Sequence, residues 1–142
     1  MLKIAHRGNI NGPDHNNENS PRHLQKAISL GFDIEVDIWG FEDQLYLGHD
    51  VPTYNLESDF LNKIKDRAWF HCKNLHAITL ISKVQGTKYF WHQQDDYTLT
   101  SNNYIWTYPG KSITSKSIIV LTEKTDFDMY EDAYGVCSDY LL

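Results

Sequence analysis

Hydrophobic and polar positions alternate with a period of two over residues 33–39. Successive side chains of a β-strand point to opposite faces, so this segment is predicted to be a strand with one aliphatic face. Glu35 and Asp37 both fall on the other face. The pattern therefore places two carboxylates side by side.

Strand-like and helix-like segments follow one another along the whole chain. Besides residues 33–39, strand character is found in residues 2–6, 68–73, 88–92, 104–108, 117–121 and 134–140. Helices are predicted from Ser20 to Gly31, from Ser58 over Ile64, and from Leu75 over Ser82 to an end at Gly86. Ser20 supplies a hydroxyl N-cap and Pro21 the first helical position, which marks the start of the first helix.

The alternation of strands and helices predicts seven parallel strands, or eight if residues 45–47 join the sheet. Such a sheet either closes into a barrel or stays an open α/β sheet. Connections after residue 90 have space for only one or two helical turns. We therefore expect reduced outer helices.

A chain of 142 residues, 41% hydrophobic and 23% charged, fits a single domain spanning residues 1–142. The net charge of -6 and the scattered Lys and Arg residues argue against nucleic acid as a partner. No run approaches the roughly 20 apolar residues of a membrane span, and the N-terminus lacks the pattern of a signal peptide. A cytoplasmic protein is expected, with Cys72 and Cys137 as buried thiols.

Two neighbouring carboxylates repel each other when they lose water, so a positive group is expected between Glu35 and Asp37. A divalent cation is the simplest candidate, and hard oxygen ligands favour Mg²⁺ or Ca²⁺. The alternative is an edge strand whose acidic face is solvated. Two histidines near the strand, His6 and His49, favour the metal site.

Four short motifs occur in order in the first 50 residues: His6-Arg7-Gly8, Glu18-Asn19-Ser20, Glu35-Val36-Asp37 and His49-Asp50. Together they resemble the glycerophosphodiester phosphodiesterase family, which has a TIM barrel and a metal-assisted histidine mechanism. The resemblance implies a compact or truncated TIM-like (β/α) barrel of seven to eight parallel strands. A weaker echo of the family's C-terminal signature is Ser138-Asp139-Tyr140-Leu141.

The chain departs from the family pattern in two respects. It is shorter than the roughly 200 to 250 residues of most TIM barrels, so outer helices are cut down or a βα unit is lost. The family's Glu-x-Lys on the third strand reads His71-Cys72-Lys73 here, which replaces an acidic metal ligand by an imidazole. Mn²⁺ or Zn²⁺ thus joins Mg²⁺ and Ca²⁺ among the candidate ions.

The resemblance implies a role for each matching residue. His6 and His49 would be the general acid and base, since imidazole has both protonation states available near neutral pH. Glu35, Asp37 and His71 would hold the cation. The residues expected to contact a small phosphodiester substrate are Arg7, Lys73 and Trp106.

Several alternatives stay open from the sequence. Arg7 and Lys73 could pair with the acidic residues instead of substrate, and Trp106 could be core. The protein could be a non-catalytic phosphodiester-binding module, a phospholipase-D-like lyase that forms a cyclic phosphate, or a zinc or manganese hydrolase of another ester. Thin helical cover would expose apolar strand faces that a homo-oligomer would bury.

Overall fold

The computed structural model describes all residues, Met1–Leu142. The helices are α1 (Pro21–Ser29), α2 (Ser58–Ile64) and α3 (Leu75–Ile81), and residues Phe127–Tyr130 form a 3₁₀ turn. The strands are β1 (Leu2–His6), β2 (Asp33–Phe41), β3 (Gln44–Leu47), β4 (Tyr54–Asn55), β5 (Ala68–Cys72), β6 (Lys88–Phe90), β7 (Tyr97–Leu99), β8 (Ile105–Thr107), β9 (Ser117–Leu121) and β10 (Gly135–Ser138). All of these strands belong to one sheet.

Parallel pairing runs through seven strands in the order β6-β5-β2-β1-β10-β9-β8. These are the seven strands that the sequence predicts, so their existence and parallel direction are confirmed. The first strand of the chain lies beside the last, with Ala5 opposite Ser138. The carboxyl ends of all seven strands consequently meet at one rim.

The prediction of a TIM-like barrel with outer helices is wrong. The sheet is curled into a half-barrel and does not close, since β6 pairs with β5 alone. It is mixed because β3 pairs antiparallel with β2, β4 with β3, and β7 with β8. Residues 45–47 do join the sheet, but through a tight hairpin that reverses their direction. β6 forms no ladder with β7 or β8. A backbone hydrogen bond does reach β6 from the loop between those two strands, with Ser101 N donating to Tyr89 O at 2.8 Å.

Helices are missing from the second half because its connections lack an apolar stripe at helical spacing. α1, α2 and α3 all precede residue 82, and they cover the aliphatic face of β2. The outer face of β9 and β10 is covered by the 3₁₀ turn instead, since Phe127 and Tyr130 pack against Ile119 and Val136. Part of the outer face expected to be exposed is therefore covered within the chain; a homo-oligomer stays a prediction.

Local helix signals are mostly where the sequence places them. Ser20 caps α1 and accepts a hydrogen bond from His23 N at 3.3 Å. α2 begins at Ser58, as predicted; its N-cap residue is Glu57, whose side chain makes no capping hydrogen bond. The longest helix, α1, has nine residues, and no helix combines the length and hydrophobicity needed to cross a membrane.

α3 is fixed to β2 at Gly40. Asn74 caps α3 and exchanges two hydrogen bonds of 2.9 Å with the backbone of Gly40. A Cβ at Gly40 would lie 2.6 Å from Ala77 N, so only glycine permits this close approach. The contact fixes the position of the N-terminus of α3 along β2 and holds the carboxyl end of β2 against the helix.

The inner face of the half-barrel is apolar at depth and polar at the rim. Its buried layer consists of Ile4, Trp69, Phe90, Trp106, Ile118 and Cys137. Cys72 lies among the core residues on the helix side, and both cysteines are free and buried, as predicted. Above the inner layer, the strand ends carry ionisable side chains.

Candidate functional site

Three neighbouring strands bring the predicted ionisable residues together at the rim. His6 on β1 is opposite Glu35 on β2, and Asp37 on β2 is opposite His71 on β5. Directly paired residues of adjacent strands point to the same face of a sheet. The aliphatic face of β2 is buried toward the helices, so both carboxylates face inward as the alternation predicts.

Glu35, Asp37 and His71 form a compact cluster. The two carboxylates are almost completely buried, and one potential ligand atom from each of the three residues lies within 4.8 Å of the others. Nδ1 of His71 is 3.0 Å from Oδ1 of Asp37 and 3.6 Å from Oε1 of Glu35.

Oδ1 of Asp37 is buried and accepts no hydrogen bond. A buried polar atom without a partner is costly. Two carboxylates and one imidazole form a donor set that suits a divalent cation. The cluster is therefore a candidate metal centre.

Asn19 holds the other side of Asp37. Its amide nitrogen donates to Oδ2 of Asp37 at 2.9 Å, and its oxygen accepts from the backbone N of Asp37 at 2.9 Å. Burial by itself would raise the pKa of Asp37, but His71, Arg7 and Asn19 outweigh it and hold that pKa well below its usual range. Asn19 is fully buried with φ 62°, a strained conformation that these two bonds compensate.

Arg7 lies among carboxylates, although its buried Nε makes no hydrogen bond. Nη1 donates to Glu18 at 3.2 Å, Nε lies 3.2 Å from Oδ2 of Asp37, and the backbone N donates to Glu35 at 3.2 Å. Lys73 is less committed, with Nζ 4.0 Å from Oδ1 of Asp37. Of the two cations, Lys73 is thus the freer to reach a substrate phosphate.

His6 is held by Asp139. Nδ1 of His6 lies 3.0 Å from Oδ1 of Asp139, and Nε2 lies 4.0 Å from Oε2 of Glu35. Burial would lower the pKa of His6, but the bond to Asp139 and the charge of Glu35 outweigh it and raise that pKa. Asn9 donates to the same Asp139 oxygen at 2.8 Å.

His49 approaches the same pocket from the turn after β3. Its Nδ1 is 2.8 Å from Oδ1 of Asp50, a side chain that is 90% exposed. The turn is held by Trp39, whose indole N–H donates to Gly48 O at 2.7 Å. Gly48 has φ 152° and no space for a Cβ, which would collide with Val51 O.

A pocket of about 530 Å³ opens beside these residues. Its lining includes the predicted site residues His6, Arg7, Glu35, His49, His71, Lys73 and Trp106. Asp37 is fully buried and does not line the pocket. Its lining also includes Trp91, His92, Thr98, Thr107 and Tyr108. The volume is adequate for a small organic phosphate.

The aromatic side chains next to the cluster belong partly to the core. Trp106 is 6% exposed and stacks on Phe90 with ring centroids 4.3 Å apart. His92 stacks on His71 at 4.5 Å and lines the pocket, so it faces inward. Burial and the charge of His71 lower the pKa of His92, which disfavours its protonation.

The sequence alone assigns no role to Asp139 or Asn9. Asp139 stands in the C-terminal motif, but only the pairing of β1 with β10 brings it to His6. Asn9 follows the His-Arg-Gly turn and is fully buried. A buried asparagine in a loop is recognisable only after its partners are known.

No family model matches the chain, and the comparisons with curated proteins and solved structures also give no match. The resemblance to glycerophosphodiester phosphodiesterases therefore rests on the four N-terminal motifs and the residues they contain. Any function for the chain is argued from the site itself.

Proposed function

We propose that the protein is a metal-dependent phosphoric diester hydrolase acting on a glycerophosphodiester-like substrate, with His6 and His49 as the acid/base pair. The observation that carries the proposal is the arrangement of one pocket: two histidines line it together with the buried Glu35 and His71. Acidic and imidazole ligands with two separate proton-transfer groups suit phosphodiester cleavage.

Glu35, Asp37 and His71 would hold the cation. When bound, a divalent cation neutralises phosphate charge and polarises the phosphorus centre. Asn19 and Arg7 keep the carboxylates in place through the contacts described above. Lys73 adds a positive charge at the same rim, where it would attract the phosphate.

The two histidines would move the protons. One accepts the proton of the attacking water or of a neighbouring substrate hydroxyl as the new P–O bond forms. The other donates a proton to the leaving alkoxide as the old P–O bond breaks. Attack by water yields a phosphomonoester and an alcohol, whereas attack by an internal hydroxyl yields a cyclic phosphate and an alcohol.

The test is hydrolysis of glycerophosphodiesters and of a generic aryl phosphodiester with Mg²⁺, Ca²⁺, Mn²⁺ and Zn²⁺ in turn. We expect His6→Ala and His49→Ala to lose at least about 100-fold in kcat/KM. His76→Ala is the matched control, since His76 is an exposed residue of α3 outside the pocket. Retained activity in both site variants, with native circular dichroism, would rule out the mechanism.

Phosphorus NMR of the products separates the hydrolase from a lyase on the same site. A phosphomonoester as the first product supports the hydrolase. Accumulation of a cyclic phosphate identifies an internal hydroxyl as the nucleophile. Phosphodiesters that remain intact would contradict both of these activities.

A non-catalytic phosphodiester-binding module is the second candidate. It is favoured by the engagement of the Arg7 guanidinium with Glu18 and Asp37, which leaves fewer free cations for a transition state. Isothermal titration calorimetry would detect the binding of metal and of phosphodiester. Binding without turnover in the presence of each of the four ions would support this candidate against the hydrolase.

A further inference from the structure

Asp139 contacts His6 and does not itself line the pocket. Its side chain is buried, and Oδ1 is 3.0 Å from Nδ1 of His6. The same oxygen accepts from Nδ2 of Asn9 at 2.8 Å. Two nitrogen atoms thus converge on one carboxylate oxygen, which fixes its position with respect to the imidazole.

Asn9 is itself held on both ends of its amide. Nδ2 donates to Glu18 at 2.9 Å as well as to Asp139, and Oδ1 accepts from the backbone N of Asp14 at 3.2 Å and lies 3.0 Å from Nε2 of His23. Ionised carboxylates only accept hydrogen bonds, so the NH₂ group of Asn9 must face them. The amide orientation is therefore determined.

The same argument determines the tautomer of His6. A carboxylate oxygen that can only accept requires the proton of the neutral imidazole on Nδ1. Nε2 then carries the lone pair, and it is this nitrogen that lies on the Glu35 side of the ring. His6 consequently offers a proton acceptor to the site.

His49 lacks such support. Its Nδ1 also has a carboxylate neighbour, Asp50, but this side chain is 90% exposed and His49 itself is 36% exposed. Water competes with an exposed hydrogen bond, so such a pair restricts ring orientation weakly. The two histidines thus differ in how firmly each is held.

We propose that Asp139 and Asn9 are positioning residues that hold His6 as the Nδ1–H tautomer, so that His6 is the proton acceptor and His49 the proton donor. The assignment of roles rests on the proposed function. In the reaction, Nε2 of His6 takes the proton of the attacking O–H group, and His49 gives one to the leaving alkoxide. Exchange with solvent restores both rings.

The first test is the tautomer itself, which is independent of activity. Long-range ¹H–¹⁵N correlation spectra of the full chain, labelled at histidine and recorded at alkaline pH, should show Nδ1 of His6 protonated and Nε2 unprotonated. The His6→Ala spectrum assigns the signals. In Asp139→Asn the amide can donate to Nδ1, and the pattern should reverse or become mixed. An Nε2–H tautomer in the wild type, or an unchanged pattern in Asp139→Asn, would overturn the proposal.

The second test is kinetic. Asp139→Asn should lower kcat by at least about 100-fold while KM changes by less than about threefold, because ground-state binding is not altered. Asp139→Glu should recover part of the loss, since it restores an acceptor, and Asn9→Ala should lose less than Asp139→Asn. Asp50→Asn removes the equivalent carboxylate from His49 and should lower kcat by less than about fivefold.

Equal losses in Asp139→Asn and Asp50→Asn would overturn the inferred difference between the two histidines. If the wild-type protein hydrolyses no phosphodiester, the proposed function fails, and the tautomer spectra alone decide whether Asp139 positions His6. The two failures are therefore distinguishable.

Discussion

Oδ1 of Asp37 lies 3.0 Å from Nδ1 of His71 and accepts no hydrogen bond, although it is completely buried. The contact joins β2 to β5 at the position where Glu35 also reaches the imidazole. A cation bound between this oxygen and this nitrogen would be a partner for both. This pair is the main reason to expect a metal site here. The side chain at position 71 should then control which ion binds.

Replacing His71 with Glu should shift the metal preference toward harder ions. A third carboxylate adds negative charge and an oxygen ligand, so Ca²⁺ and Mg²⁺ affinity should rise about tenfold while Zn²⁺ affinity falls. Isothermal titration calorimetry measures both. His92→Gln is the control, since it alters the neighbouring ring without facing the carboxylates; unchanged Ca²⁺ and Zn²⁺ affinities in His71→Glu would exclude His71 as a ligand.

Asn19→Ala should destabilise the protein by about 3 kcal/mol, because it removes both hydrogen bonds to Asp37 and leaves alanine at a positive φ. Asn103→Ala is matched in backbone conformation, with φ 66°, but Asn103 is exposed. It should cost only about 1 kcal/mol. Urea unfolding of both variants gives the difference, and equal losses would show that backbone strain alone explains Asn19.

Gly40→Ala should destabilise the fold by more than about 3 kcal/mol. The added Cβ would meet backbone atoms of α3, which cannot move without losing the Asn74 hydrogen bonds. Gly31→Ala is the control: Gly31 has φ 92°, but an added Cβ there would meet nothing within 4 Å, so only the backbone cost of about 1 kcal/mol applies. Similar unfolding midpoints for the two variants would contradict the close packing of α3 on β2.

The His6–Asp139 pair should give a defined pH window to stability. Burial would raise the pKa of Asp139, but His6 outweighs it and lowers that pKa, so its contribution is present above about pH 4 and lost as pH falls through the folded value. The pKa of His6 is raised, so its contribution is complete below about pH 6.5 and lost as pH rises through the folded value.

The unfolding free energy of the wild type minus that of Asp139→Asn should accordingly be largest between about pH 4 and pH 6.5 and smaller on either side. Chemical denaturation in chelator across this range measures it without bound ions. A difference that grows steadily from neutral to alkaline pH would contradict the coupling of the two groups.

Local pattern is sufficient to predict the strands and part of the site. The period of two places Glu35 and Asp37 on one face, and Ser20-Pro21 marks the start of α1, because both signals depend only on neighbouring residues. His6, His49 and His71 are also found around one pocket. Their chemical roles stay predictions.

The closure of the sheet and the support of the site depend on distant residues. The sequence predicts strand direction from alternation with helices, so it misses the antiparallel β3 and β7. The family resemblance implied a barrel, whereas the sheet stays open. Strand order and closure are set by long-range pairing and packing, which no local period encodes.

By itself, therefore, the sequence determined the seven parallel strands and the inward carboxylate pair, because side-chain periodicity is a local property of the backbone. Only the tertiary structure decided that Asp139 lies beside His6 and that Asn19 holds Asp37. The first contact joins residues 133 positions apart in the chain. Such contacts form when β1 and β10 become neighbours, and the free energy of that pairing is distributed over the whole sheet.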